Sequence, residues 1–133
     1  MIKVRDLKES ELDFAKKLTD QEDWSNSVED WNRLFRISIP LVAYDGDNLL
    51  GIATSFDYGN LGMIGNVVVS SNHRGKGVGQ ALLKEAMKRL ESCKSVRVHS
   101  NMDVISFYKN LDSVFRHHGT FGQKVSFNRN LYI

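Results

Sequence analysis

The stretch VVVSSNHRGKGVGQALL, residues 67–83, decides how the rest of the chain is read. It opens on three valines with no polar face between them, the pattern of a strand covered on both sides. It closes on helical spacing. Ala81, Leu82, Ala86 and Leu90 recur on one side, flanked by Leu83 and Met87, and predict a helix over Gln80–Ser92. Between strand and helix lie Gly75, Gly77 and Gly79, with Arg74 and Lys76 interleaved. A helix start presents unpaired N–H groups and the positive end of the macrodipole. Glycine lets backbone approach a ligand closely and take positive φ. Successive N–H groups in such a turn make an anion cradle, to which Arg74 and Lys76 add full charge. Residues 74–79 therefore read as a seat for a phosphate-bearing ligand. The string G-x-x-x-x-G-K-[S/T] of a P-loop does not occur in the chain. A dinucleotide-binding turn needs G-x-G-x-x-G, whereas here the spacing is G-x-G-x-G followed by Gln80. Such turns also follow a first strand, and this one follows the fourth.

Working outward, the alternation in Ile2 to Leu7 predicts a short strand. Ser10 with Asp13 suggests a capping box ahead of a helix carrying Leu12, Ala15 and Leu18. Residues Ser27 to Phe35 read as a second helix, capped by Ser27, with Val28, Trp31, Leu34 and Phe35 inward and Pro40 ending the region. Leu41–Tyr44, the turn Asp45–Asn48 and Leu49–Phe56 form a hairpin pattern. Gly59-Asn60 marks another turn before a strand over Met63–Val69. Beyond the central helix, Ser95–Ser100 reads as a strand and Asp103–Leu111 as a helix with Val104, Phe107, Tyr108 and Leu111 on one face. Ser113–Phe121 and Gln123–Ile133 read as closing strands. The order β-α-α-β-β-β-α-β-α-β-β describes a mixed α+β sheet with one central crossover.

Size and composition bound the answer. The chain has 133 residues, enough for one domain with its own core and too few for two, so residues 1–133 are read as a single domain. Composition is that of an ordered globular protein, which excludes collagen, coiled coil and disorder. A single cysteine, Cys93, excludes a disulfide framework. With one Cys and scattered His (His73, His99, His117 and His118), no metal-ligand spacing exists and no metal is expected. No apolar run approaches the ~20 residues that span a bilayer. Residues 1–25 show no signal-peptide pattern, so a cytoplasmic location is expected. The net charge of +2 hides a split. Residues 1–66 carry seven Lys/Arg against twelve Asp/Glu, a balance of −5; residues 67–133 carry eleven against four, a balance of +7.

The quoted stretch resembles the acetyl-CoA-binding motif of the GNAT superfamily of N-acetyltransferases, whose signature Arg/Gln-x-x-Gly-x-Gly/Ala is filled in register by Arg74, Gly77 and Gly79. Asn101-Met-Asp-Val-Ile-Ser-Phe-Tyr108 resembles the family's Asn-x-x-Ala-x-x-Phe-Tyr stretch. The element order is similar too. The resemblance implies a three-layer α/β/α-like fold with a central, mostly antiparallel sheet, a splayed strand pair, about seven strands and four helices. It implies that pantetheine lies along Val67, Val68 and Val69. The diphosphate would rest on the N–H groups of Arg74, Gly75, Lys76, Gly77, Val78 and Gly79. Asn101 would contact the cofactor's arm, and Tyr108 would protonate the departing thiolate. Two departures stand out. The family's Glu on the fourth strand falls here on Gly65 or Asn66, leaving Asp57, His99 or water as the base. Asp112-Ser113 replaces the family's Gly-Phe after Tyr108.

The chemistry is consistent with those roles. Acyl transfer from a thioester passes through an oxyanion that backbone N–H groups can stabilise. A phenol near pKa ~10 can donate to a thiolate of similar basicity, and an amine near ~10.4 must lose a proton before it attacks. The expected activity is acetyl transfer from acetyl-CoA, as cosubstrate, to a primary amine within a ternary complex. The alternative is a non-catalytic CoA-binding regulatory module. The acceptor is a small-molecule or peptide amine of unknown identity, drawn by the acidic half through Glu22, Asp23, Glu29, Asp30 and Asp57, while the basic half meets the phosphates. Trp31 reads as core; Trp24 reads equally as core or as acceptor lining. Neither nucleic acid nor membrane is an expected partner, and a homodimer is left open.

Overall fold

The computed structural model describes residues 1–99 and 124–128. The chain runs β1 (Lys3–Asp6), α1 (Leu12–Gln21), α2 (Val28–Ile37), β2 (Ile39–Asp45), β3 (Asn48–Asp57), β4 (Leu61–Val69), α3 (Val78–Arg89), β5 (Ser95–His99) and β6 (Lys124–Asn128). Single 3-10 turns lie at Glu9–Glu11 and Ser71–His73. The strands form one sheet in chain order. β1 to β4 pair antiparallel; β4, β5 and β6 pair parallel. The described residues thus give six strands and three α-helices. The helix expected at Asp103–Leu111 and the strand expected at Ser113–Phe121 lie outside them.

The sheet is covered on both sides because its strands alternate between two apolar sets. Leu41, Ala43, Ala53 and Ile64 point to α3, where Val78, Leu82, Leu83, Ala86, Met87 and Leu90 bury the stripe anticipated from spacing. Val42, Ile52 and Val68 point to the other face and pack with Ala15 and Leu18 of α1 and Trp31 of α2. Thr19, fully buried on α1, ties that layer together: its hydroxyl accepts from the Trp31 indole N–H at 3.1 Å. Trp31 is core, as its spacing indicated, and Trp24 packs half-buried against the same cluster.

Several local expectations are corrected. Ser10 caps nothing. Glu11, the N-cap of α1, makes no side-chain cap either; its carboxylate turns back to the preceding 3-10 turn, accepting from the Lys8 N–H at 2.9 Å and from Arg5 through two 2.8 Å bonds. A carboxylate that can reach a guanidinium outcompetes a hydroxyl for the helix approach. Ser27 does cap α2, in a reciprocal box with Asp30. Val28, expected inward, is exposed, because α2 turns Trp31 and not its first residue to the sheet. The helical region does end ahead of Pro40, at Ile37; Pro40 itself lies inside β2, buried, and its carbonyl accepts from the Leu7 N–H at 2.8 Å. α3 begins at Val78, two residues before the expected Gln80.

Candidate active site

The site follows from what happens halfway along β4. Its first half, Leu61–Ile64, pairs with Ser95–Val98 of β5. The last register pair is Ile64 with Val98; Gly65 to Val69 have no register partner among the described residues of β5, which reach His99. On the other edge the register with β3 slips between Ile52 and Thr54, so Asn66 and Val67 together oppose Ala53. That is a β-bulge, and bulges bend and twist the strand that carries them. Asn66 takes the left-handed conformation, φ 50°. The buried Thr54 hydroxyl lies 2.9 Å from the Gly65 carbonyl and 3.0 Å from the Asn66 side-chain amide, and holds the bulge. Beyond it, the Ser70 N–H donates to the Leu50 carbonyl at 2.8 Å. By antiparallel alternation, the peptide groups of Val69 therefore face away from β3, toward the opposite edge of β4.

The glycine turn is built beside that edge. Gly75 (φ 77°) and Gly77 (φ 86°) are left-handed, and a Cβ on either would meet nothing within 4 Å. Their glycines serve conformation, and the space above them is open. Gly77 is the N-cap of α3 with no side-chain cap, and the Ala81 N–H is the first to close a helical bond, to the Gly77 carbonyl. The N–H groups of Val78, Gly79 and Gln80 thus point out of the helix start. Val78 and Gly79 are buried and Lys76 is exposed. A different glycine, Gly51, sets how near the helix comes. A Cβ there would lie 2.8 Å from the Val68 carbonyl oxygen, 3.2 Å from Val78 and 3.3 Å from Leu82. The bare backbone of β3 is what lets the start of α3 rest on the sheet next to the parted strand.

Arg74 is placed with unexpected partners. Its Nε donates to the Val69 carbonyl at 3.3 Å, and its Nη2 pairs with the Glu22 carboxylate. Gln21 spans the same junction, its Nε2 3.4 Å from the Val69 carbonyl and its Oε1 accepting from the Ser71 N–H at 3.1 Å. Residues from both charged halves of the sequence therefore meet at this turn, Glu22 from the acidic half and Arg74 from the basic one. No local signal announces these contacts, because their partners lie 48 to 52 residues apart.

Of the candidate bases, Asp57 is remote. It faces Gly62, four residues before the bulge and so about 13 Å along the strand. There it accepts from the Gly59 N–H at 2.9 Å and from the Cys93 thiol at 3.5 Å. Burial, then Asp57, pushes that thiol's pKa up. His99 ends β5, whose pairing with β4 stops one residue earlier. Asn101, Tyr108 and Asp112-Ser113 lie outside the described residues. Among the described residues no group of His, Cys, Asp and Glu is arranged to hold a metal, and no helix is long and apolar enough to cross a membrane.

Residues 3–112 match the model of the acetyltransferase (GNAT) family. The chain belongs to the GNAT acetyltransferase family. Solved structures carry the same fold. A GNAT-family acetyltransferase of Streptococcus pneumoniae superposes with TM-score 0.71 at 21% identity, over 84% of this chain and 86% of that one. The ribosomal-protein-S18-alanine N-acetyltransferase of Escherichia coli gives 0.73 at 17% identity, over 84% and 77%. Rv2747 from Mycobacterium tuberculosis, solved in complex with CoA, gives 0.58 at 20% identity, over 65% and 55%. No curated protein sequence is significantly similar to the chain. In this GNAT chain the described elements thus include a bulged β4, whose described register with β5 ends at Ile64, and a glycine turn at the head of α3.

Proposed function

We propose that this GNAT protein transfers an acetyl group from acetyl-CoA to a primary amine by direct attack in a ternary complex. The observation that carries the reading is the end of the described β4–β5 register at Ile64 and Val98, beside the β4 bulge and a helix start with outward N–H groups. A parted parallel pair leaves backbone donors and acceptors on an inner edge that an extended amide chain can pair with, as an added strand does. In this reading pantetheine runs along Val67–Val69, and the diphosphate rests on the amides of Arg74 to Gly79. The CoA bound to the mycobacterial neighbour supports an acyl-CoA donor.

The amine, as its free base, attacks the thioester carbonyl, and its displaced proton leaves to water or a base. Backbone N–H groups at the parted strand take the oxyanion charge. The C–S bond breaks, and the CoA thiolate takes a proton from the Tyr108 phenol. Asn101 contacts the cofactor's arm. With Asp57 held beside Cys93, His99 or a water chain takes the amine's proton in this reading.

The test is a panel of primary amines and peptides offered with acetyl-CoA while free thiol is followed. Thiol release with one amine class, cut more in turnover than in CoA binding by Tyr108→Phe, supports the reading. CoA binding without turnover on any amine assigns the chain to the non-catalytic alternative. An Arg74→Ala protein that binds CoA as tightly as the parent removes the cradle.

A further inference from the structure

We propose that Gln21 and Glu22, in the last turn of α1 and its cap, are positioning residues for the CoA phosphates, acting through Val69, Ser71 and Arg74; this rests on the acetyl-CoA reading above. Four contacts converge on the junction where β4 ends and the glycine turn begins. Gln21 offers its amide N–H to the Val69 carbonyl at 3.4 Å and takes the Ser71 N–H at 3.1 Å. Arg74 Nε donates to the same carbonyl at 3.3 Å, while Glu22 holds Nη2. One side chain of α1 thus bridges the strand end and the turn, and the next fixes the guanidinium that spans them.

The clamp is itself anchored. α1 ends in a paired closure, with the Asp23 N–H on the Asp20 carbonyl and the Trp24 N–H on the Thr19 carbonyl, both at 3.0 Å. Asp23 takes the left-handed conformation that this closure requires, φ 58°. Thr19 is held in turn by its bond from Trp31. Gln21 and Glu22 are therefore presented from a fixed helix end and not from a loose loop.

Glu22 does not exhaust Arg74. A guanidinium has five N–H donors in a fixed fork. One goes to Val69 and one to Glu22, which leaves three for an oxyanion in the turn. The carboxylate sets the direction of the fork while lowering its net charge. Arg74 is half-exposed and Glu22 a quarter exposed, so the pair is screened and its stability contribution is small. Its consequence lies in orientation.

The experiment measures CoA affinity by calorimetry on the full chain, with melting temperature as a control for folding. Gln21→Ala changes no charge. It is expected to weaken CoA binding about 3- to 10-fold, the worth of one or two net hydrogen bonds. With the amine found in the panel, the KM for acetyl-CoA rises while kcat and the amine's KM move less than twofold. A merely structural role would shift melting and leave that split absent. Glu22→Ala is then measured in two backgrounds. Acting through Arg74, it weakens CoA binding in the parent and has no such effect in the Arg74→Ala protein. If Glu22→Ala tightens binding in both backgrounds, the carboxylate only repels phosphate and the proposal falls. If Gln21→Ala and Glu22→Ala both leave CoA affinity unchanged in a parent that binds it, the proposal falls alone. If the parent binds no CoA, it is the acetyl-CoA reading that fails.

Discussion

The two halves of β4 use the same backbone for opposite ends. From Leu61 to Ile64 the strand is paired on both edges and roofed by the end of α3; from Asn66 to Val69 it is bulged on one edge and has no partner among the described residues of β5 on the other. Their glycines differ accordingly. Gly62 sits where a Cβ would come within 3.0 Å of Leu90 and 3.2 Å of Cys93, so absence of a side chain makes room for packing. Gly75 and Gly77, beside the second half, have empty space above them and positive φ. The first half is selected for closeness, the second for an accessible backbone. A strand becomes a site where a local irregularity stops its ladder while its neighbours keep the rest rigid.

The largest effect is expected from joining the two regimes. Gly51→Ala drives a Cβ against the Val68 carbonyl, a backbone atom that cannot step aside. Overpacking of this kind costs about 1–3 kcal/mol, and here the upper end is expected, with CoA affinity falling because the start of α3 is lifted. Chemical denaturation and calorimetry on one preparation check both. A loss of stability with unchanged affinity would separate the helix contact from the site.

Asn66 tests the bulge. Asn66→Ala loses the contact with Thr54 and forces alanine into the left-handed region, at a cost of about 1–2 kcal/mol. Asn66→Gly tolerates that conformation and is expected to keep both stability and CoA affinity nearer the parent. If alanine weakened stability but not binding, the parting of the strands would not depend on the bulge.

A smaller effect distinguishes the glycines directly. Gly62→Ala is expected to cost about 1 kcal/mol, because the Leu90 methyl and the Cys93 thiol must shift, and to leave CoA binding alone. Gly75→Ala forces alanine to φ 77°, at a cost of about 1–2 kcal/mol, and is expected in addition to raise the CoA dissociation constant clearly, which Gly62→Ala does not. Equal effects on both readouts would erase the contrast between the two halves.

The smallest is a control away from the site. Arg5 donates two hydrogen bonds to Glu11 and, with the Lys8 N–H, holds that carboxyl below the usual carboxylate range. A folded-state pKa below the unfolded one gives stability that is present above about pH 4.3, the unfolded value, and lost as pH falls through the lower folded value. The melting difference between the parent and Glu11→Gln should therefore shrink in acid, with no change in the cradle.

Much of the scaffold and part of the site were legible in residue order. The glycine turn, the apolar stripe of α3 and the Ser27 cap of α2 are all local, settled by neighbours within a few residues. Ser10 and Val28 were misread for a tertiary reason: Arg5 reaches back to Glu11, and α2 leans its Trp31 onto the sheet. Asp57 looked available as a base until pairing put it opposite Gly62.

Residue order alone fixed where backbone amides are left bare and which faces must be hidden, because helix spacing, strand alternation and glycine conformation are short-range properties. Only the folded chain decided where β4 leaves β5, how near α3 sits over Gly51, and that Gln21 and Glu22 reach Val69, Ser71 and Arg74. Those depend on contacts between segments 27 to 52 residues apart, and such contacts exist only once the layers have packed.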